Sequence, residues 1–410
     1  MQKYDVIIIG AGAAGLMCAW QAGVRGLKVA VLEHTGKIAE KIRISGGGRC
    51  NFTNLHNSPQ NFISNNPHFC KSALRRFTPH DFIALLEERN IAYHEKQYDP
   101  DNAQTYSRGQ LFCDKSAGQI INMLKEGVLD NGGHIHLKTK VSKVARNENS
   151  QSFTLRADQK EFTCKKLVIA TGGLSIPKIG ASNFGYELAK QFELDIIPPT
   201  AALVPLTFDD ELLEQTKKLS GITIDARVSC GQVSFREGLL FTHRGLSGPS
   251  ILQISTYWQK AGGAKQSQSI KIDMLPEQQA LPWLKKMRQV QPRQLLHNVL
   301  AQKLPVRLAQ FVAIKSGHDH RIAELSDKKL EQVAKMINAW EIYPSGSEGY
   351  RTAEVTLGGI DTKDISSKTF EAKTTKGLHF IGEVLDVTGH LGGHNFQWVW
   401  ASAWCCAQHL

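Results

Sequence analysis

Three side chains in glycine-rich surroundings could take part in proton transfer or substrate binding. Cys50 lies in the run Ser45-Gly-Gly-Gly-Arg-Cys-Asn51, whose three successive glycines allow a sharp bend. Its thiol could donate a proton to a substrate carbon if it were exposed and if Arg49 tuned its pKa, whereas a buried cysteine would be inert. His243, ahead of Arg-Gly-Leu-Ser-Gly-Pro, could bind an anion, donate a proton, or belong to a turn. Glu354, close before Thr-Leu-Gly-Gly, could approach a reacting group or belong to a hairpin. We predict catalytic roles for these three residues.

The stretch from Tyr4 to Glu33 has the order strand, glycine turn, helix, strand, acid. Four apolar residues, Val6 to Ile9, run into Gly-Ala-Gly-Ala-Ala-Gly, and a helical pattern follows. A second apolar run, from Lys28 to Leu32, ends at the acid. A glycine turn alone would be weak evidence, but both strands and the acid stand at the right distances. The pattern is typical of a dinucleotide-binding βαβ unit.

Each position of the glycine turn has its own predicted task. Gly10 permits the tight turn, Gly12 lets the backbone approach a pyrophosphate, and Gly15 lets the helix pack closely on the strand. The N–H groups at the start of the helix, from Ala13 and Ala14 onward, would bind the phosphates with the help of the helix dipole. The acid that ends the second strand would accept hydrogen bonds from the adenosine ribose.

Later segments distinguish a flavin from a nicotinamide dinucleotide. The buried strand beginning at Lys166 ends in Thr-Gly-Gly, which is typical of flavoprotein chains that return to the adenosine side. Another strand, Leu378 to Phe380, leads to Gly382-Glu383, whose carboxylate could bind the ribityl hydroxyls of FAD. A helix that starts near Gly392-Gly-His-Asn395 would direct N–H groups at the pyrimidine edge of the flavin, where negative charge develops on reduction. Together these segments predict FAD.

We interpret the loop 45–51 as lying against the isoalloxazine ring, the alternative being a turn on the adenosine side. The predicted FAD-binding residues are Gly10, Gly12, Ala13, Ala14, Gly15, Glu33, Lys41, Ser45, Gly48, Arg49, Cys50, Asn51, Val141, Ala170, Thr171, Gly172, Gly382, Glu383, Asp386, Gly392, Gly393, Asn395 and Phe396.

The composition is that of an ordinary globular enzyme. Of 410 residues, 41% are hydrophobic and 21% charged, and no apolar run approaches the ~20 residues of a membrane-spanning helix. The first predicted strand begins by residue 4, so we expect no signal peptide. The eight cysteines form no CxxC pair. We therefore expect a cytoplasmic protein with no membrane partner and no metal site.

Composition changes along the chain predict four segments. We predict one FAD-binding domain of the α/β, Rossmann-like class, formed in two parts by residues 1–196 and 346–410. Short β-rich runs in 197–275 suggest a small barrel or sandwich, and 276–345 repeats apolar residues at helical spacing. One nucleotide-binding domain is thus predicted to be interrupted by a β-barrel-like insert and a basic helical insert.

The helical insert concentrates the positive charge. The chain carries a formal +11, and Pro276 to Ile337 contains 11 Lys and Arg against 5 Asp and Glu, which accounts for +6 of it. Such an excess suits a polyanion, although a solvated helical surface would have the same composition. Charge alone leaves both interpretations open.

Four motifs resemble one known family, the BaiN/RdsA group of NAD(P)/FAD-dependent oxidoreductases. They are Ser45–Asn51 with Thr53-Asn54, Thr242–Pro249, Val355–Ile360 and Gly382-Glu383. The resemblance covers essentially the whole chain, and it implies a glutathione-reductase-like FAD domain interrupted by a β-barrel and a small helical insert.

The chain departs from related patterns at two places. Glu354 stands where the more distantly similar fumarate reductase flavoproteins have a histidine, which argues against dicarboxylate reduction. Gln110-Leu-Phe-Cys113 replaces the Arg-x-Phe-Pro usual in the family, and we assign that loop no role.

The resemblance implies a reductase that transfers hydride from flavin N5 to an activated C=C bond. Substrates linked to the family are a uridine of large-subunit ribosomal RNA, reduced to dihydrouridine, and a steroid bile-acid intermediate. The basic insert favours ribosomal RNA; a small apolar enone is the alternative, and a non-catalytic flavoprotein or redox sensor is a third. No second glycine-and-acid unit occurs in the sequence, so we expect NAD(P)H to dock only transiently as electron donor.

Overall fold

The computed structural model describes residues 2–97 and 108–410, and these fall into two compact units. The first unit comprises residues 2–97, 108–200 and 355–410, and the second comprises residues 201–354. The part of the predicted first segment at 98–107 lies outside the described residues. The division into four segments stays a prediction.

The helices and strands that begin before the second unit are β1 (Gln2–Ile9), α1 (Ala13–Val24), β2 (Val29–Leu32), α2 (Glu40–Ile44), β3 (Asn51–Asn54), β4 (Phe62–Ile63), α3 (Cys70–Arg76), α4 (Pro79–Glu88), β5 (Tyr93–Glu95), β6 (Gln110–Cys113), α5 (Gly118–Asp130), β7 (His134–His136), β8 (Val141–Asn147), β9 (Ser152–Ala157), β10 (Lys160–Ile169), α6 (Phe184–Gln191) and β11 (Ile196–Ala202), whose last two residues belong to the second unit. Those of the second unit are β12 (Leu206–Thr207), α7 (Asp210–Thr216), β13 (Thr223–Cys230), β14 (Val233–Thr242), β15 (Gly245–Ser247), α8 (Pro249–Lys260), β16 (Ile270–Asp273), α9 (Ala280–Val290), α10 (Leu296–Leu300), α11 (Val306–Lys315), α12 (Asp327–Asn338), β17 (Trp340–Ile342) and β18 (Gly346–Ser347). The chain ends with β19 (Val355–Ile360), β20 (Leu378–Phe380), β21 (Thr388–Gly389) and α13 (His394–Ala407).

A sheet with a parallel centre forms the core of the first unit. Its order is β7-β2-β1-β10-β9-β8, and β20 also pairs with β10. The pairs among β7, β2, β1, β10 and β20 are parallel, whereas β8 and β9 pair antiparallel. In β1, Val6, Ile7 and Ile8 are fully buried, as expected for a parallel strand covered on both faces. The carboxyl ends of β1, β2, β10 and β20 therefore meet at one edge of the sheet.

Helices α1 and α5 pack on this sheet, and α13 packs on α1. Trp20 of α1 packs where α5 has Gly127, whose Cβ, if present, would lie 2.3 Å from the Trp20 ring. Trp398 and Trp400 of α13 are buried, and Trp400 stacks on Phe82 of α4 at 4.4 Å between ring centroids. These two tryptophans of the last helix therefore belong to the core.

The second unit is built on an antiparallel sheet in the order β17-β16-β13-β14-β15-β12-β18. Strands β13 and β14 pair antiparallel along the whole of β13, and α8 packs on both of them. One hydrophobic core contains residues of these strands and of α8 to α12, among them Phe241, Trp258 and Val312. Within the described ranges, no helix combines the length and the apolar character that a membrane crossing would need.

Candidate cofactor-binding site

A groove of about 510 Å³ opens at the edge of the first unit where the parallel strands end. Its walls are the glycine turn after β1, the end of β2, the segment before α2, the start of β8, the segment from β10 to α6, and residues near the starts of α1 and α13. A crevice outside the carboxyl ends of parallel strands is the usual ligand site of such sheets.

The glycines of the turn differ in what surrounds them. Gly10 has a φ of +107°, and a Cβ there would lie 2.5 Å from the Ala170 carbonyl oxygen. A Cβ at Gly15 would lie 1.9 Å from the Gly10 oxygen, so α1 can pack this closely only with glycine. At Gly12, by contrast, no heavy atom of the described residues comes within 4 Å of the Cβ position. Gly10 and Gly15 serve the fold, whereas Gly12 faces the groove.

Helix α1 presents its amino terminus to this groove. Gly12 is its N-cap, and the first turn carries no acidic side chain that would neutralise the N–H groups. Ala13 and Ala14 line the groove beside it. The unsatisfied N–H groups and the helix dipole make this end of α1 suited to an anion such as a pyrophosphate.

Glu33 is fixed at the end of β2 with its carboxylate at the groove. The residue is buried, and its Oε2 accepts a hydrogen bond from Ala11 N at 2.9 Å. Its Oε1 accepts from Thr35 N at 2.8 Å, and His34 Nδ1 lies 3.1 Å from the same oxygen. These contacts hold an acceptor where a ribose hydroxyl could donate to it.

A polar cluster in the groove joins residues that are far apart in sequence. Lys41 Nζ lies 2.6 Å from Ser175 Oγ and 2.6 Å from Glu383 Oε2. Glu383 Oε1 accepts from Thr356 N at 3.0 Å. The carboxylate is therefore oriented from two sides, by a cation and by a backbone N–H.

Two further observations show that FAD fits this groove. Thr171 Oγ1 is buried and has no hydrogen-bond partner among the described residues, so it can serve a bound polar group. Gly172 lines the groove with a φ of +73°, and its Cβ position is open in the described part of the chain. Together with the amino terminus of α1 and the carboxylates of Glu33 and Glu383, the groove supplies what a diphosphate carrying many hydroxyls requires.

The glycine-rich loop from Ser45 to Gly48 bends as the sequence predicts. Gly46, Gly47 and Gly48 have φ values of 56°, 65° and 86°, and Cys50 follows with a φ of 53°. Cys50 is 0% exposed, and burial raises the pKa of its thiol far above the usual range. The exposed thiol required for proton donation is therefore absent, and the geometry favours an inert cysteine.

Strand β3, which follows the loop predicted to contact the flavin ring, packs against the start of α13. Asn54 Nδ2 donates to Gly392 O at 2.8 Å, and a Cβ at Gly393 would lie 2.4 Å from Thr53 O. Asn395 is engaged with Gly389, to whose carbonyl its amide donates at 2.9 Å. This contact between β3 and α13 explains the glycines as a close approach of two backbones.

Asp386 has a similar internal task. Its Oδ2 accepts from Asn65 N at 2.8 Å, and the residue is buried.

Burial lowers the pKa of His390 to about 4 and of His394 to about 3, so both imidazoles are neutral at pH 7. His394 Nδ1 lies 2.9 Å from Asn57 Oδ1, an oxygen to which the Nδ1–H tautomer would donate.

The other two predicted catalytic residues belong to the second unit. His243 is exposed in the turn between β14 and β15. Glu354 is exposed just before β19, and its backbone N donates to Leu203 O at 3.1 Å. Of the described residues that line the groove, none belongs to the second unit, and roles for His243 and Glu354 stay predictions.

The groove brings together about half of the predicted FAD-binding residues. Those that line it are Gly10, Gly12, Ala13, Ala14, Glu33, Lys41, Val141, Ala170, Thr171, Gly172, Glu383 and Phe396. Those placed elsewhere in the first unit are Gly15, Ser45, Gly48, Arg49, Cys50, Asn51, Gly382, Asp386, Gly392, Gly393 and Asn395. For this second set, contact with the cofactor stays a prediction.

Sequence reasoning missed Ser175 and the residues around the start of α6. Ser175 is 1% exposed and reaches both charges of the Lys41–Glu383 pair. It follows the Thr-Gly-Gly run by two residues, so its position after a nucleotide-type strand was the available signal. Among residues 2–97 and 108–410, no group of three or more His, Cys, Asp or Glu could hold a metal ion.

Comparisons with known proteins extend over the whole chain. The family model described as "HI0933-like protein Rossmann domain" matches residues 4–409. The ribosomal RNA dihydrouridine synthase of Escherichia coli is 47% identical, over 100% of this chain and 98% of that protein. The enzyme of the same name from Haemophilus influenzae is 48% identical over 99% and 98%. The 3-dehydro-bile acid delta(4,6)-reductase of Clostridium scindens is 26% identical over 97% and 96%.

A solved structure shares the fold at low sequence identity. The 3-ketosteroid delta1-dehydrogenase of Sterolibacterium denitrificans aligns over 100% of this chain and 99% of that chain, with a TM-score of 0.51 and 13% identity. Taken with the groove and the family match, this agrees with an FAD-binding α/β fold. The chain belongs to the HI0933-like Rossmann-domain family, and within it to the BaiN/RdsA group of FAD-dependent oxidoreductases.

Proposed function

We propose that this protein reduces a uridine of large-subunit ribosomal RNA to dihydrouridine. The observation that carries the proposal is the match, at 47% and 48% identity over nearly the full length of both partners, to two ribosomal RNA dihydrouridine synthases. The groove supports it, because a reductase of this kind needs a bound redox cofactor. When bound, FAD supplies a hydride to the activated C=C bond of the base and is reduced again by NAD(P)H.

The residues of the groove would hold and orient the cofactor. The amino terminus of α1 binds the diphosphate, and Glu33 accepts hydrogen bonds from the adenosine ribose. Glu383, held by Lys41 and by Thr356 N, offers its carboxylate to the hydroxyls of the ribityl chain. Since these groups are already oriented by protein contacts, little reorganisation accompanies binding.

We propose His243 or Glu354 as the proton donor. Cys50 is buried, so His243 and Glu354 remain as the exposed candidates that can give a proton to the reduced carbon. His243→Gln and Glu354→Gln each remove a proton donor at nearly constant volume. The true donor is the one whose replacement slows reoxidation of the reduced flavin by RNA while leaving reduction by NAD(P)H unchanged.

A small apolar enone is the second candidate substrate, because the bile-acid reductase relative also spans the whole chain. The basic helical insert favours RNA over such a substrate, since a steroid needs no positive surface.

We also propose a cytoplasmic location, because all eight cysteines are free and buried.

Anaerobic flavin spectroscopy tests the proposal. The purified protein should be yellow, and NADPH or NADH should bleach it. Unmodified large-subunit RNA should then restore the colour, and the product should contain dihydrouridine. Restoration by a steroid enone and not by RNA would transfer the assignment to the second candidate. Failure of both, with FAD bound, would indicate a redox sensor or a non-catalytic flavoprotein.

A further inference from the structure

The helical part of the second unit contains a long stretch without acidic residues. Residues 278–318 include seven Lys and Arg and no Asp or Glu. The five acidic residues counted between Pro276 and Ile337 all lie at the borders of this stretch or beyond it. Within this stretch, no acidic side chain can neutralise a basic one; any counter-charge must come from residues outside it.

On the α9 side of the stretch, Lys285 and Arg288 share one carboxylate, whereas no carboxylate of the described residues lies within 4 Å of Lys286 Nζ. Lys285 Nζ lies 2.7 Å from Asp327 Oδ2, and Arg288 Nη2 lies 2.7 Å from Asp327 Oδ1. Arg288 also donates to Leu325 O at 2.8 Å. The two cations in turn lower the pKa of the Asp327 carboxyl, which therefore stays ionised between them. Two of the basic side chains of α9 thus serve the packing of α9 against the start of α12.

The α11 side carries its charges without such partners. In the described part of the chain, no carboxylate lies within 4 Å of the charged groups of Lys303, Arg307 or Lys315. Arg307 Nη1 donates to Lys218 O at 2.8 Å, and Lys315 Nζ donates to the Gln215 side chain. These bonds join α11 to the end of α7 and to Lys218, which follows it. Lys218 therefore lies on the same surface as Arg307 and Lys315.

Exposed apolar side chains lie between these charges. Val306 is 60% exposed and Ile314 is 69% exposed, and with Gln310 they follow the spacing i, i+4, i+8 along α11. The opposite side of the helix, with Leu308 and Val312, is fully buried. Helix α11 therefore exposes two aliphatic side chains on the same half of its surface as the cations Arg307 and Lys315.

We propose that this surface, the α11 face, binds the sugar-phosphate backbone of the RNA substrate. It is formed by Lys218, Lys303, Val306, Arg307, Ile314 and Lys315. Four cations with no carboxylate of the described ranges within 4 Å of their charged groups suit phosphates, and the two aliphatic side chains suit the apolar faces of riboses. Two exposed apolar residues are too few for insertion into a membrane. The inference rests on the proposed function, and it assigns RNA binding to the surface that contains α11.

A pair of matched double variants tests the assignment. Lys303→Glu with Arg307→Glu reverses two charges on the α11 face. Lys328→Glu with Lys335→Glu makes the same change on the exposed side of α12. Binding of an unmodified large-subunit RNA transcript is measured by filter retention at several salt concentrations. We expect the first variant to lose about 10- to 100-fold in affinity and to reduce the salt slope by about 1 to 2, and the control to lose less than about 3-fold.

Charge-conserving and apolar variants complete the test. Lys303→Arg with Arg307→Lys should retain the affinity of the parent protein, and Val306→Ser with Ile314→Ser should weaken it. Thermal melting and bleaching by NAD(P)H should be unchanged in every variant, which excludes misfolding. Equal losses in the α11 and α12 variants, or no loss in either, would overturn the inference. So would a loss confined to intact ribosomal subunits, because it would identify a protein partner.

The proposed function and the α11 face fail in different ways. If the parent protein modifies RNA and the α11 variant binds it unchanged, the function stands and the docking surface is wrong. If RNA binding depends on α11 but RNA never reoxidises the flavin, the docking surface stands and the substrate assignment is wrong.

Discussion

Lys41 and Glu383, 342 positions apart in the chain, form an ion pair of 2.6 Å inside the groove. Lys41 lies in α2, which follows β2, and Glu383 lies after β20, which enters the sheet beside β10. The pair therefore connects the two parts of the first unit that the insertion separates in sequence. It also fixes the carboxylate that we assign to the ribityl hydroxyls.

Replacement of Lys41 by Met should weaken FAD binding without unfolding the protein. The side chain is 32% exposed, so its loss costs little stability, but Glu383 would lose the cation that orients it. We expect an affinity about 10-fold lower, which corresponds to about 1.4 kcal/mol and lies just below the range typical of a charged hydrogen bond. Flavin fluorescence after dialysis measures the loss. Lys37→Met, at another lysine of the groove wall, is the control, and equal effects of both would contradict a specific role for the pair.

Gly12→Ala and Gly15→Ala should separate cofactor binding from folding. A Cβ at Gly15 would collide with the Gly10 carbonyl oxygen at 1.9 Å, so we expect a loss of about 3 kcal/mol or more in unfolding free energy. At Gly12 the added methyl group would meet only open groove, and Tm without cofactor should change little. FAD affinity should fall instead, because the backbone could no longer approach the diphosphate. Similar melting curves for both apoproteins would contradict this distinction.

These glycines also show what the sequence could predict. The turn, α1 and β2 are local and follow from a pattern of thirty residues, so their order and bounds were predictable. The contacts of Ser175 with Lys41 and of Asp327 with Lys285 join residues 134 and 42 positions apart, and no local pattern encodes them. The burial of Cys50 likewise depends on packing of its loop within the core of the first unit. The short motif around Cys50 could therefore not predict whether its thiol is exposed, and the proposed role as proton donor depends on that exposure.

Replacement of Cys50 by Ala should leave the reaction intact. The thiol is fully buried and its pKa is raised, so it can be neither an effective thiolate nor an exposed acid. We expect the rate of flavin reoxidation to stay within about 2-fold, because no proton passes through the thiol. In the native protein the thiol should also resist alkylation at pH 8 and react only after unfolding. A reoxidation rate lowered by orders of magnitude in a well-folded Cys50→Ala protein would restore the catalytic assignment.

Acid should destabilise the protein through the histidines that flank the start of α13. Burial lowers the pKa of His390 to about 4 and of His394 to about 3, whereas in the unfolded chain both have the ordinary value of 6.5. Between these limits the unfolded state binds protons that the folded state cannot accept. The two histidines therefore cost the folded state nothing above pH 6.5. Below it, the free energy of unfolding falls as the pH drops toward 4, by at most about 1.4 kcal/mol per pH unit for each histidine.

Urea unfolding at pH 7.0, 5.5 and 4.5 measures this slope. His394→Gln can still donate to Asn57 Oδ1, the partner of His394 Nδ1, but cannot take up a proton. This variant should therefore lose less stability than the parent protein between pH 7.0 and 4.5, even if it is weaker at pH 7.0. His243→Gln, in an exposed turn, is the matched control and should keep the parent slope. An acid sensitivity unchanged in His394→Gln would mean that carboxylates rather than this imidazole set the acid limit of the fold.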